Sequence, residues 1–414
     1  MRSKVLVFGG LGQPGRSVVG LYQDLLDTLS VHFDIIAIDP ALYSDVEKFD
    51  FPYVQSFSSL SEYLKTHSNA KVSAAFILTP VGSHLTIIRD LSSAISIDDL
   101  LFVVEKPSFS LNEIEEGFGL IVPSLKNRGA RFYFIDTALV TPAMQALLHP
   151  GLLTDRGLPH KIVAIATDNP VEIAPELDEF CFGNRIQALN ERKLLSPSVS
   201  GGAGFGFDMG IHAAAGLVRY LQKSGLLKSK LEIKGVVAER VQHPQLEFEE
   251  GAETHLYANA LLLHERTSIE LVIEGGKAGD IWDRRLELHY DDGVIAVGFG
   301  TLKHPPYLWV SNSGVQTFDL SGAGYRMHFN DILHALGLDK PSILSCEESE
   351  ELMTNSMVLL NRLFEAVGQN SKHRETNVRR VLQHKPQFLT RSELMVRAEL
   401  QQTLDQIRHK PAYN

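Results

Sequence analysis

Strand type, read from the spacing of apolar residues, changes once along this chain, and that change limits what it can fold into. Through about residue 137, apolar runs such as Val5 to Phe8 and Ala74 to Leu78 show no alternation with polar residues. Strands of that kind are covered on both faces, as parallel strands between layers of helices are. Helix-like segments such as "RSVVGLYQDLLDTL" and "HLTIIRDLSSAI" fall between "KVLVFGG", "FDIIAID", "SAAFILTP", "DLLFVVEKP" and "ARFYFID". The series predicts βαβ units, hence an α/β domain with a doubly wound parallel sheet of the Rossmann kind.

Past about residue 160 the strands alternate: "KIVAIAT", "LEIKGVVAERV", "HLYANALLL", "SIELVIEGG" and "RRLELHYDDGVIAVGF", the last with an Asp291-Asp292-Gly293 turn. Period-two strands joined by Gly and Asp turns predict an α+β domain with a large, mostly antiparallel open sheet, one face of it solvated or at an interface. The expected division is a dinucleotide-binding domain over 1–137, a substrate-binding and oligomerisation domain over 138–370, and a helical extension over 371–414. That extension holds nine Lys or Arg against four Asp or Glu. It reads either as a surface helix on an acidic body or as a docking element for another subunit.

Composition narrows the function classes. In 414 residues the formal net charge is -11, which disfavours nonspecific binding to nucleic acid, whose affinity comes from Lys and Arg displacing counterions. Cys181 and Cys346 form neither a disulfide framework nor a metal-ligand spacing, so no metal is expected and a cytoplasmic location is. No apolar run approaches the roughly 20 residues that cross a bilayer, and none reads as a signal or lipidation motif, so no membrane partner is expected.

Four motifs carry chemistry. In "FGGLGQPG", Gly10, Gly12 and Gly15 form G-x-G-x-x-G after a strand and before a helix. There the glycines allow a tight turn, close approach of a pyrophosphate, and helix-strand packing, with the pyrophosphate at a helix N-terminus. The next strand ends in Asp39, placed to bond the adenosine ribose hydroxyls; a turn former before Pro40 is the alternative. A carboxylate there would repel a 2'-phosphate, which favours NAD and leaves NADP possible. "TPVGSH" closes a strand with Thr79 and Pro80 and opens a helix with His84. "VVEKP" ends another strand with Glu105 and Lys106, whose ammonium can reach a substrate oxygen while Glu105 fixes it or meets the cofactor, or else is simply solvated. In "FDMGIH", Asp208 and His212 are four apart after Gly201, Gly202, Gly204 and Gly206, on one helical face. His212 fits a general base with Asp208 orienting it or gripping a hydroxyl; it also fits a hydrogen-bonded core histidine.

These motifs, in this order, resemble those of the glucose-fructose oxidoreductase and inositol dehydrogenase (Gfo/Idh/MocA-like) family over most of residues 3 to 368. "GGLGQPG" looks like its dinucleotide loop, "TPVGSH" its Thr-Pro-x-x-x-His segment, "EKP" its signature tripeptide, and "GGAGFGFDMGIH" its glycine-Asp-His motif. The resemblance implies a nicotinamide-dependent oxidoreductase acting at a secondary alcohol or ketone of a sugar, cyclitol or related polyol, in a homodimer or homotetramer built on the open sheet. It implies Lys106, Asp208 and His212 as catalytic residues. The implied cofactor contacts are Gly10, Leu11, Gly12, Gln13, Pro14, Gly15, Asp39, Thr79, Pro80, His84, Glu105 and Lys106. Substrate contacts would be Lys106, Asp136, Asp208 and His212. Two departures bear on the substrate: "YFIDTALVTPAM" replaces an aromatic and basic cluster common after "EKP", and Ala215 stands where a further Asp is frequent. The extension after residue 370 has no counterpart in the common pattern. Two other functions use the same cofactor fold, an NAD-sensing regulator and a glycosidase that retains its NAD; the set Lys106, Asp208 and His212 favours the oxidoreductase over the sensor.

Overall fold

The computed structural model of the chain describes residues 2–11, 18–40, 51–68, 70–154, 156–168, 204–239, 253, 255–277, 283–301, 304–311, 313–318, 325–369 and 391–408. They form two compact units. Of the described residues, one comprises those through Ile135 with Tyr325–Thr354, and the other those from Asp136 to residue 318 and from Asn355 onward.

The first unit is built on six parallel strands, β1 (Lys4–Phe8), β2 (Asp34–Ile38), β3 (Tyr53–Phe57), β4 (Val72–Ile77), β5 (Leu101–Val104) and β6 (Arg131–Phe134). Their order is β3-β2-β1-β4-β5-β6, so the winding reverses between β1 and β4, as the doubly wound expectation requires. The non-alternating runs are buried along their length, Val5, Leu6 and Val7 with no accessible surface. Because the strands are parallel, their carboxyl ends share one edge. Gly9 and Gly10, Asp39, Thr79, and Glu105 with Lys106 all follow those ends. The helix Tyr325–Ala335 joins this unit through aromatic packing: Tyr22 lies 5.6 Å from Tyr325, 5.5 Å from Phe329 and 6.1 Å from Phe76 of β4, centroid to centroid.

The second unit holds an eight-stranded sheet of β7 (Lys161–Asp168), β8 (Lys230–Glu239), β9 (His255–His264), β10 (Thr267–Lys277), β11 (Asp283–Tyr290), β12 (Gly293–Gly298), β13 (Tyr307–Val310) and β14 (Gly314–Thr317). The order is β14-β13-β12-β11-β7-β10-β9-β8, and only β7 with β10 is parallel, which matches the mostly antiparallel sheet expected. The helix Phe205–Lys223 packs on one face of it. Contact is close enough that a Cβ on Gly275 of β10 would stand 2.6 Å from the Cα of Gly210, so the strand needs glycine at 275.

Alternation along β11 sends Leu286 and Leu288 to one side and Asp283, Arg285, Glu287 and His289 to the other. The polar side is also buried, and the helix Arg391–Arg408 packs over the β12–β13 part of the same face. The rest of the extension, 371–390 and 409–414, lies outside the described residues. Among the described residues no helix is long and apolar enough to cross a membrane.

Candidate active site

The glycine loop begins where β1 ends. Gly9 takes φ +78°, a conformation that favours glycine, and a Cβ there would lie 3.1 Å from the Leu78 carbonyl. Asp39, just past β2, accepts the Leu11 N–H on Oδ2 at 3.1 Å, and Tyr53 donates its hydroxyl to the Gly10 carbonyl at 2.7 Å. Burial, with Asp39 nearby, pushes the Tyr53 hydroxyl far above its ordinary pKa, so it stays a donor. Asp39 and the start of the loop therefore meet at the strand edge, one acid beside a backbone without a side chain at Gly10. A carboxylate acceptor at this place fits the paired hydroxyls of an adenosine ribose. Gly12, Gln13, Pro14 and Gly15 lie outside the described residues.

Beside it, His84 opens the helix His84–Ala94 and is wholly buried. Its Nε2 faces the Thr79 carbonyl at 2.6 Å and its Nδ1 the Ser108 carbonyl at 3.0 Å. A neutral ring can donate to only one of these. Burial pulls the His84 pKa below the usual range against the opposing pull of the carbonyls. The ring thus ties the loop after β4 to the segment after β5, with both nitrogens turned to backbone. Thr79 Oγ1 in turn accepts from the Ser83 hydroxyl at 2.7 Å. Pro80 follows at the same strand end.

At the end of β5, the Glu105 side chain is buried. Its Oε2 accepts the Lys106 N–H at 2.6 Å and its Oε1 the Tyr325 hydroxyl at 2.7 Å. Burial and the neighbouring Glu105 push the Tyr22 hydroxyl well above its ordinary pKa, so a second phenol faces the carboxylate in its protonated form. Both oxygens of Glu105 are therefore engaged by the protein, which makes it a brace for the backbone of Lys106. The Lys106-Pro107 bond is cis.

In the second unit, Asp136 and His212 come together from 76 residues apart. Asp136 Oδ1 accepts the Ala138 N–H at 2.8 Å, capping the turn Thr137–Leu139, and lies 3.0 Å from His212 Nδ1. Both side chains are buried. The acid at His212 Nδ1 is thus Asp136, where the sequence pattern put Asp208 in that role. Asp208 stands one turn earlier on the same helix, in its first turn, where the helix dipole suits a carboxylate. With Nδ1–H donated to a carboxylate, the neutral ring carries its lone pair on Nε2, the form a general base needs.

Sequence reasoning passed over two residues here. Glu253 crosses the start of the Phe205–Lys223 helix, its Oε1 accepting Gly204 N–H at 2.6 Å and Phe207 N–H at 3.2 Å. Burial nevertheless pushes its pKa up to about 7, outweighing those hydrogen bonds. Tyr325 is the other. Each acts over a long sequence separation, and no local spacing marks it. Lys106 belongs to the first unit, Asp136, Asp208 and His212 to the second. Among the described residues no cluster of three or more His, Cys, Asp or Glu is placed to hold a metal ion.

A doubly wound dinucleotide-type sheet followed by a large open sheet with this helix is the architecture of Gfo/Idh/MocA-type oxidoreductases. Solved structures with it include an oxidoreductase from Thermotoga maritima, 17% identical with TM-score 0.62, covering 89% of this chain and 97% of that one. The WlbA dehydrogenase from Bordetella pertussis, in complex with NADH and UDP-GlcNAcA, is 14% identical with TM-score 0.59 over 89% of this chain and 98% of that one. A 3-ketoreductase from Actinomadura kijaniata, in complex with NADP and TDP-benzene, is 15% identical with TM-score 0.57 over 88% and 98%. No family model matches the sequence, and no curated protein matches it.

Proposed function

We propose that this chain is an NAD(P)-dependent oxidoreductase that interconverts a secondary alcohol and a ketone on a sugar, and that the sugar is carried on a nucleotide. The observation that carries the reading is the buried Asp136–His212 pair, 3.0 Å apart, which sets the tautomer of the one histidine following the glycine-rich segment. Nucleotide-linked substrates enter from the neighbours: one is solved with UDP-GlcNAcA, one with TDP-benzene, and a third is a UDP-N-acetylglucosamine 3-dehydrogenase.

In this reading residues 1–137 bind the cofactor, Asp39 and the loop from Gly10 to Gly15 holding its adenosine and pyrophosphate. A bound nicotinamide supplies the hydride acceptor or donor. His212 takes the hydroxyl proton on Nε2 while Asp136 stabilises the imidazolium that forms. Lys106, held through its backbone by Glu105, supplies positive charge to the developing alkoxide. Asp208 is left to grip a second hydroxyl, within a substrate domain spanning 138–370. Asp39 supports NAD over NADP. A cytoplasmic location and a homodimer or homotetramer complete the proposal.

The test is nicotinamide absorbance on mixing the protein and NAD or NADP with a panel of UDP- and TDP-sugars and their keto forms, alongside free polyols. Turnover with a nucleotide sugar, lost in Lys106→Met, is the expected result. Tight NAD binding with no reduction across the panel would favour a sensor. Release of a leaving group without net reduction would identify the NAD-retaining glycosidase.

A further inference from the structure

The helix Phe205–Lys223 starts at a residue that has no side chain to cap it. Gly204 stands at the N-cap position, so the amides of the first turn need acceptors from elsewhere. Glu253, just before β9, supplies them across 46 to 49 residues of sequence. Its Oε1 accepts Gly204 N–H at 2.6 Å and Phe207 N–H at 3.2 Å, and its backbone carbonyl accepts Phe205 N–H at 2.9 Å. The Gly206 N–H lies beside the same carboxylate. One residue, itself 6% exposed, thus serves the whole first turn.

The glycines of this segment serve that contact. A Cβ on Gly204 would collide with the Glu253 carbonyl, and one on Gly206 would stand 3.1 Å from Glu253 Cγ and from Leu256 Cβ. Serine or aspartate, which usually cap a helix from its own sequence, therefore cannot stand at 204. The close approach that Gly204 and Gly206 allow is to this chain's own carboxyl group, which fills a nest of amides that an anionic ligand would otherwise take. Asp208 depends on that nest directly, because its amide closes the first turn on the Gly204 carbonyl at 3.1 Å. His212, a turn further along, has its own hold in Asp136, 3.0 Å from its Nδ1.

We infer that Glu253 is a positioning residue: it caps, in place of a local side chain, the turn that carries Asp208, and so sets where that carboxylate meets a hydroxyl of the substrate. Only the substrate contact rests on the oxidoreductase reading; the cap exists without it. Loss of the cap weakens substrate binding and leaves the base His212 in place, which separates KM from kcat.

The test is Glu253→Ala in the full chain, measured above pH of about 7, where the wild-type carboxyl is ionised, with and without added acetate, which has the size of the group removed. Amide exchange should quicken at residues 204–208 and stay as in the wild type over the remainder of the helix, and acetate should slow it again in the variant alone. KM for the nucleotide sugar should rise roughly 10-fold, the cost of leaving buried donors unpaired, with kcat and dinucleotide affinity unchanged, and acetate should lower KM again. Exchange that is unchanged, that quickens along the entire helix, or that acetate does not slow would overturn the inference. So would an unchanged KM, or a loss confined to kcat. Should the alanine variant lose its fold, Glu253→Asp carries the test, because it keeps the charge and draws the carboxylate back by one methylene. The same local exchange and the same rise in KM are then expected, and the absence of either refutes the idea. No turnover by the wild-type chain would count against the oxidoreductase reading alone, since exchange at 204–208 still decides the cap.

Discussion

Two buried histidines, His84 and His212, each follow a strand-end or glycine-rich loop onto a helix, and they are solvated by opposite kinds of partner. His84 has backbone carbonyls at both nitrogens. His212 has a carboxylate at Nδ1. A carbonyl accepts a hydrogen bond but brings no net charge, so the ring between two of them serves to hold backbone, and burial works against protonating it. A carboxylate stabilises the imidazolium directly. The partner, more than the burial, sets what charge a buried histidine ring can carry.

Substituting the two rings should separate those roles most sharply. His212→Asn is expected to lower kcat by about 10²- to 10⁴-fold, the typical worth of a positioned base, with dinucleotide affinity unchanged. His84→Asn should do the reverse, weakening dinucleotide binding and lowering Tm while kcat at saturation changes little. Steady-state kinetics and calorimetry on both variants decide it. Equal losses of kcat would erase the distinction.

The next largest effect tests the carboxylate. Asp136→Asn leaves the shape but can donate to Nδ1, holding the ring in the wrong tautomer, a fault that costs up to about 10⁴-fold in a serine protease triad. A fall in kcat of at least 10²-fold is expected, with partial return in Asp136→Glu. A KM effect alone would instead keep Asp136 as a substrate contact.

A smaller change is expected at the brace of Lys106. Tyr325→Phe deletes one donor to the buried Glu105, a charge-assisted bond worth about 1.5 to 3 kcal/mol. Thermal unfolding should report that loss, and kcat should fall more than dinucleotide affinity does. If affinity falls more, Glu105 touches the cofactor and the sequence reading of it stands.

Glu253 makes the stability of the fold depend on pH. Its folded pKa of about 7 lies above the ordinary 4.5, so the folded chain holds a proton that the unfolded chain has released. The resulting stability is complete below 4.5 and disappears as pH rises through 7. Tm of the wild-type chain should therefore fall across this window relative to Glu253→Gln, which carries no titrating group there. Parallel curves would show that burial does not govern this carboxyl.

Much of this molecule was readable along the chain. The parallel sheet follows from uninterrupted apolar runs, because a strand covered on both faces has no polar side to show. The second sheet follows from period two, and the loop at Gly9 and Gly10, the acid Asp39 and the pair Glu105-Lys106 follow from residue types that only strand ends and tight turns require. Such features are local, set by sterics and backbone geometry within a few residues. The meeting of Asp136 with His212 over 76 residues, of Tyr325 with Glu105 over 220, and of Arg397 with Glu287 was decided only by packing. An acid in "FID" and a tyrosine after "GAG" carry no mark of their partners, since a long-range contact forms when two separately specified surfaces are buried together. That is also why the extension, polar and basic by composition, shows Leu400 and Leu404 to be buried only once the outer face of the sheet is in place beneath them.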